Sequence, residues 1–308
     1  MRDEFIKSLL KLAKDDKSII LLTADLGFGV FEEFENLFPE QYFNVGISEQ
    51  NMIGLGTGLA LEGKKVVAYS IGNFPTLRCL EQIRNDACYH KVNLTIVSSG
   101  GGYSYGQLGY SHHATEDLSI LRALPNIKVI SPCSNWESGE ATKILVNDNS
   151  VSYLRLDKTS ADDSHLPKDN FNLMNSRKYR DGNDITIIST GGILDEALIA
   201  AKKLSAKSIE CRVIGMHTIK PIDKHAIHSA ASETGGLVIV EENNMIGGLG
   251  SAVSDYCLQN MVIPEKFLSI GINDTYSSVV GDQYYLRKIN SIDSDSIFTK
   301  VIELFKSI

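Results

Sequence analysis

Nothing in this chain of 308 residues is apolar for the roughly 20 consecutive positions that a membrane-crossing helix requires, so no transmembrane segment is expected. Cysteine is sparse and unpatterned: Cys79, Cys88, Cys133, Cys211 and Cys257 are odd in number, scattered, and never spaced C-x-x-C. That argues against a disulfide framework, predicts reduced thiols in the cytoplasm, and leaves no structural metal expected. Basic residues are outnumbered, with 30 Lys and Arg against 38 Asp and Glu for a formal net charge of -8, and they form no block. This argues against a nucleic-acid partner, because tracking a phosphate backbone needs clustered Lys and Arg. A small phosphorylated substrate stays compatible, since one or two placed arginines recognise it. The opening Met1-Arg2-Asp3-Glu4-Phe5-Ile6 passes straight into an amphipathic segment without a long apolar core or a small-residue cleavage site, so no secretory signal is expected. What the chain does have is 43% hydrophobic residues against 22% charged, enough apolar material at this length for two buried cores.

Short β-branched and aliphatic runs alternate with longer segments of helical period, the pattern of a parallel sheet covered by helices. Strands are predicted over 18–23, 65–69, 93–98, 128–131 and 152–155, and helices over 51–61, 76–90, 115–123 and 135–147. These form one α/β domain over 1–160. The stretch 161–180, with Asp162, Asp163, Pro167, Lys168, Asp169 and Asn170, loses periodicity and reads as a linker. A second, smaller α/β domain is predicted over 181–308, with strands at 185–189, 210–215, 237–241 and 267–270 and helices at 194–204, 224–231 and 250–259.

Three stretches hold residues suited to chemistry. In Val45-Gly46-Ile47-Ser48-Glu49-Gln50-Asn51 a carboxylate sits where a loop becomes a helix; Glu49 there either caps the helix and meets its dipole or faces a ligand. The following Gly54-x-Gly56-x-Gly58 lies inside the helix rather than after a strand, so helix packing explains it better than a dinucleotide loop. Gly100-Gly101-Gly102-Tyr103-Ser104-Tyr105-Gly106-Gln107-Leu108-Gly109-Tyr110-Ser111-His112-His113 is a glycine-rich loop after a strand, either solvated or turned toward a ligand at the edge where open α/β sheets bind them. No carboxylate pairs with the two histidines at familiar metal-ligand spacing. Tyr69-Ser70-Ile71-Gly72-Asn73-Phe74-Pro75 places Phe74 either in the core or on a pocket wall.

In order and spacing, and over nearly the whole chain, these stretches resemble the C-terminal half of transketolase. The resemblance takes in Asp25 in Thr23-Ala24-Asp25-Leu26, the Glu49 stretch, Phe74, Ser111-His112-His113, Tyr153-Leu154-Arg155, Thr218-Ile219-Lys220-Pro221-Ile222-Asp223 and Gly247-Gly248-Leu249-Gly250-Ser251. It implies a pyrimidine-binding parallel-sheet domain followed by a transketolase C-terminal domain, with thiamine diphosphate and Mg²⁺ as cofactors. Glu49 then matches the glutamate that hydrogen-bonds N1′ of the cofactor's aminopyrimidine and favours its imino tautomer, and Phe74 the ring that stacks on it. Asp25 matches a carboxylate near cofactor and subunit interface. Ile71 and Leu77 stand where the family has aromatic neighbours of the pyrimidine. His112 matches the histidine that faces the substrate carbonyl, with His113 beside it as a second catalytic candidate, and Arg155 and Arg2 match phosphate-contacting arginines.

The domain of that family that grips diphosphate and metal, marked by Gly-Asp-Gly, has no counterpart here, since the near match Arg180-Asp181-Gly182-Asn183 belongs to the second domain. The resemblance therefore implies a split enzyme whose partner chain carries that domain, assembled as a heterotetramer of two copies of each chain. Leu108 replaces the Asp that recognises a donor hydroxyl, Gly100 a phosphate-contacting His, and Gly29 a Ser. These departures imply ketol transfer on a modified sugar rather than an ordinary pentose phosphate. The β subunit of a 2-oxoacid dehydrogenase and a non-catalytic stabilising subunit are the alternatives.

Overall fold

The computed structural model describes residues 1–168 and 170–306. Helix α1 (Arg2–Asp15) leads into β1 (Ile19–Thr23), followed by α2 (Glu32–Leu37), β2 (Tyr42–Asn44), α3 (Glu49–Leu61) and β3 (Lys65–Ile71). Then come the short α4 (Leu80–Gln82), β4 (Leu94–Ser99), α5 (Asp117–Ala123), β5 (Ile127–Ile130), α6 (Asn135–Val146) and β6 (Val151–Leu156). These six strands are all parallel, in the order β5-β6-β4-β3-β1-β2.

The sheet is buried on both faces, which is why its strands read as near-continuous apolar runs. Successive side chains alternate between the faces. Ile20 and Leu22 join Val66, Ala68, Leu94 and Ile96 beneath α3, while Ile19 and Leu21 join Val67, Tyr69 and Val97 beneath α1 and α6. Gly56 is the glycine of α3 that lets helix and sheet close up, since a Cβ there would lie 3.2 Å from Leu94 and 3.3 Å from Leu22 and Val66. Gly54 and Gly58 meet nothing within 4 Å.

The second half holds β7 (Arg177–Arg180), β8 (Ile185–Ser189), α7 (Leu194–Ser205), β9 (Cys211–Gly215), β10 (Thr218–Lys220), α8 (Lys224–Glu233) and β11 (Leu237–Asn244). It ends with α9 (Leu249–Gln259), β12 (Phe267–Ile272), α10 (Gln283–Ile289) and α11 (Ser294–Lys306). Its sheet runs β12-β11-β8-β9-β7, and only the edge strand β7 is antiparallel. Strand β10 leaves this half to pair antiparallel with β5 at the edge of the first sheet.

Two expectations are corrected here. The stretch read as a linker ends in β7, whose Arg177-Lys178-Tyr179-Arg180 is too polar to look like a strand; Tyr179 is nonetheless buried and donates to Glu137 at 2.6 Å. Of that stretch, Asp169 lies outside the described residues. The helix predicted over 76–90 is wound three ways, as a tight turn at Leu77–Cys79, one turn at Leu80–Gln82 and a wide π-helical stretch at Ile83–Cys88, a difference that hydrophobic period does not register. Helices α1, α10 and α11 were not predicted, nor were the short α2, β2 and β10, the last three being only three to six residues long.

The two halves share one apolar cluster and, beside it, a buried ionic one. Arg155 on β6 donates to Asp117 at 3.4 Å, to Asp157 at 3.3 Å and to the Glu242 carbonyl at 2.8 Å. Arg287, fully buried, meets Glu242 at 2.7 Å, Asp195 at 3.3 Å, Glu196 at 3.5 Å and Thr159 at 2.8 Å. Burial pushes the Asp195 carboxyl up to about 6 even with Arg287 alongside. Removing one partner of a buried ion pair leaves an uncompensated charge. Arg287→Met is therefore expected to destabilise the protein by about 3–5 kcal/mol in urea denaturation, and a loss under about 1 kcal/mol would show the cluster to be dispensable.

Candidate functional site

Glu49 is the first residue of α3. The turn before it is drawn tight by Gly46 at φ +75° and by the Ser48 hydroxyl, which donates to the Val45 carbonyl at 2.8 Å and so is not spent on capping the helix. The Glu49 side chain is 2% exposed, and its carboxylate accepts from Arg78 Nη1 at 2.7 Å. Its charge is felt by Cys79, whose thiol is pushed up to about 12 by burial first and by Glu49 second.

Beyond β3 the chain turns at Gly72, φ +52°, whose amide donates to the Ser99 carbonyl at 2.9 Å. A Cβ there would come within 2.7 Å of the His112 carbonyl, so only glycine lets this turn lie against the histidine loop. The Asn73 side chain ties the two together by donating to the His113 carbonyl at 3.2 Å. Phe74 then faces His112, ring centroids 5.1 Å apart at 60°, while the Arg78 guanidinium carbon lies 4.3 Å from the centre of the Phe74 ring. Glu49, Phe74, Arg78 and His112 thus meet at the C-terminal edge of the first sheet, where open α/β sheets take ligands.

The start of the glycine-rich loop is shaped by the domain junction. A Cβ on Gly101 would lie 1.8 Å from Arg155 Nε, and one on Gly102, φ +56°, 2.6 Å from Glu242, so both glycines let the loop lie flat on the ionic cluster. The Tyr103 amide donates to Glu242 at 2.7 Å. His112 is half-buried, its Nδ1 3.1 Å from the Ser111 hydroxyl. His113 is 3% exposed, edge-on to Tyr103 at 5.1 Å with Nε2 3.4 Å from the Gly106 carbonyl, and burial lowers its pKa. The expectation of a second catalytic imidazole is corrected: its contacts make His113 an anchor of the loop.

Arg155 is corrected too. At 2% exposed, its guanidinium is committed to the ionic cluster and no face is left for a phosphate. Lys158, which the sequence reading missed, stands two residues past β6 and lines a cleft of about 480 Å³ together with Ser104, Tyr105, Gln107, Leu108 and Gln283. Its ammonium lies 3.9 Å from the Tyr105 ring centre, and desolvation lowers its pKa. Position relative to the end of the strand would have singled it out, since that end opens onto the cleft and the strand itself does not. Leu108 lines the same cleft. Arg2 lies apart, half-exposed beside Asp3 and sharing a surface hollow with Lys7, Lys11 and Gly29. Asp25, at φ +54°, receives the Asn44 side-chain amide at 3.2 Å and donates its own amide back at 2.9 Å, which pins its loop to β2. Ile71 closes β3 and is half-buried, as is Leu77 at the start of the tight turn.

The site fits an aminopyrimidine. A flat group bearing N–H donors already lies between the Phe74 face and the Glu49 carboxylate, in the form of the Arg78 guanidinium. Among the described residues no group of three or more His, Cys, Asp or Glu side chains could hold a metal ion. No helix among them is long and apolar enough to cross a membrane.

Residues 1–162 match the family model of the transketolase pyrimidine-binding domain, and residues 175–292 that of the transketolase C-terminal domain. The chain is 34% identical over 307 residues to one of the subunits of the apulose-4-phosphate transketolase of Phocaeicola vulgatus, covering 99% of this chain and 97% of that protein. It is 33% identical over 290 residues to a 6-deoxy-6-sulfo-D-fructose transketolase subunit of a Clostridium species, covering 94% and 89%. Among solved structures it is similar to a split-gene transketolase described as an inactive beta4 tetramer, with TM-score 0.90, 32% identity, and 99% and 98% of the two chains covered.

The burial of His113 can be measured. In an NMR titration His113 is expected to take up its proton below the ordinary histidine value of 6.5, because burial disfavours its charged form. It would then be neutral at pH 7, and a midpoint above that value would contradict the buried anchor.

Proposed function

The chain belongs to the transketolase family and is a subunit of a split enzyme, and from that premise we propose that Glu49 and Phe74 hold the aminopyrimidine of thiamine diphosphate while His112 attends a sugar carbonyl. The observation that supports this most is the geometry at Glu49: a buried carboxylate, an aromatic face, and a flat N–H donor held by both. Bound there, the cofactor supplies the carbon nucleophile that a protein side chain lacks.

The chain's own residues have separable tasks. Glu49 accepts a hydrogen bond from the ring nitrogen and so sets which tautomer is bound. Phe74 orients the ring through its face. His112 donates to the substrate oxygen as it gains negative charge, a role suited to a half-buried imidazole beside the Ser111 hydroxyl. Lys158 takes the place expected of Arg155 as the cation for an anionic end of the substrate, and Leu108 beside it offers no hydrogen bond to a donor hydroxyl.

The reaction is transfer of a two-carbon ketol unit, and the substrate class we propose is a modified sugar phosphate. The relatives named for apulose 4-phosphate and for a sulfonated fructose support it, as does Leu108. A partner chain carrying the diphosphate-binding domain would hold Mg²⁺ and the diphosphate, in an assembly of two copies of each chain. The similar tetramer described as inactive, built of one kind of subunit, supports the need for a partner. Five unpaired, buried cysteines suit a reducing cytoplasm.

Glu49→Gln is expected to leave the assembly intact and to lower kcat by about 10²-fold or more. Turnover near the wild-type rate in that variant would refute the assignment. Lys158→Met is expected to raise KM for a phosphorylated substrate about tenfold with a smaller effect on kcat, the pattern of a lost binding contact. An unchanged KM would return the anion site to other residues.

A further inference from the structure

Arg78 occupies the place that the proposed function gives to the cofactor ring. Its Nη1 donates to Glu49 at 2.7 Å while its guanidinium carbon lies over the Phe74 ring, 4.3 Å from the centroid. Glu49 is 2% exposed but the Arg78 side chain is 44% exposed, so the carboxylate is fixed in the protein and its partner reaches in from the surface. The chain around Arg78 is wound as a tight turn at Leu77–Cys79, at the start of the segment that then widens into a π-helical stretch.

We infer that Arg78 is a resident stand-in for the aminopyrimidine, holding Glu49 and Phe74 until the cofactor ring displaces it into solvent. This rests on the reading of Glu49 and Phe74 as the pyrimidine contacts. A guanidinium and an aminopyrimidine are both flat and both stack on an aromatic face, and the pyrimidine, when it carries a proton on N1′ as in its imino tautomer, offers an N–H to a carboxylate as the guanidinium does. His112 lies edge-on to Phe74, ring centroids 5.1 Å apart, and Arg78 lies over the ring itself, where an incoming ring would stack. The same face and the same carboxylate cannot serve both groups at once.

Two consequences follow from this competition. The buried Glu49 carboxylate keeps a partner before the cofactor arrives, which avoids the cost of an unpaired charge. Cofactor binds only the fraction of molecules whose Arg78 has swung out, so the measured affinity is weaker than the bare pocket would show. Arg78 is thus a positioning residue, one that acts on the pocket while the cofactor is outside it.

The test is calorimetric titration of thiamine diphosphate, with Mg²⁺ present, into the complex of this chain with its partner chain. It uses wild type, Arg78→Met and Arg78→Lys, with Phe74→Ala as the control on the site itself. Arg78→Met is expected to tighten binding about three- to tenfold, and Arg78→Lys, which keeps the charge without the flat fork, to tighten it by less. Phe74→Ala is expected to weaken binding. The melting temperature of this chain alone is expected to fall in Arg78→Met and to be largely kept in Arg78→Lys, which serves if the first variant does not assemble. Weaker or unchanged binding in both Arg78 variants, with Phe74→Ala weakened, overturns the stand-in and leaves the site. Unchanged binding in Phe74→Ala removes the site and the stand-in with it.

Discussion

The structure is organised around two buried arginines. Arg155 and Arg287 stand at most 2% exposed where the two halves of the chain meet, and between them they engage Asp117, Asp157, Asp195, Glu196 and Glu242. Taking such charges out of water costs several kcal/mol per ion, so the arrangement holds only while each ion keeps its partners. Arg287 and Glu242 come from the second half, while Arg155, Asp117 and Thr159 come from the first half or the segment leaving it. The ion pairs lie within each half, and the arginines reach across the junction through two hydrogen bonds, Arg155 to the Glu242 carbonyl and Arg287 to the Thr159 hydroxyl, so docking fills donors that the carboxylates leave over. The neighbouring Glu241, also buried, is pushed up to about 7 while it accepts the Leu249 and Gly250 amides at the start of α9.

The functional edge is hung from this cluster. Glu242 accepts the Tyr103 amide, Gly101 and Gly102 lie flat against the charges, and the loop then runs through Gly106 to His112. Gly72 and Asn73 fasten the Phe74 turn to the same loop. The relative placing of His112 and Phe74 is thus inherited from an ionic contact on the far side of the loop.

Most of the alternating α/β plan was legible, because buried parallel strands such as Ile19-Ile20-Leu21-Leu22 carry their signal in composition and length. Glu49 and Phe74 stood out as candidates only as part of a spaced set, since singly each had an equally good structural role. Part of what escaped was tertiary in origin. The polar strand β7 is strand-like only because it pairs with β9, and β10 only because β5 has a free edge. Arg155 was matched to a phosphate-contacting arginine because the sequence does not show that Asp117 and Glu242 converge on it. Gly101 and Gly102 read as either solvated or turned toward a ligand for the same reason.

Arg155 and Lys158 show how burial divides labour between neighbouring cations. Three residues apart, one lies within the strand and the other beyond its end. The strand position is enclosed by carboxylates, so a guanidinium there has its donors filled and is fit for holding domains together. Past the strand's end the chain opens onto the cleft, where an ammonium over the Tyr105 ring keeps donors to spare. Arg78 shows a third condition, a guanidinium held at one end by a buried carboxylate and open to solvent at the other. A charge fixed on every side builds the frame, whereas a charge fixed on one side only can yield its place, and the groups open to exchange all lie on the edge that the frame supports.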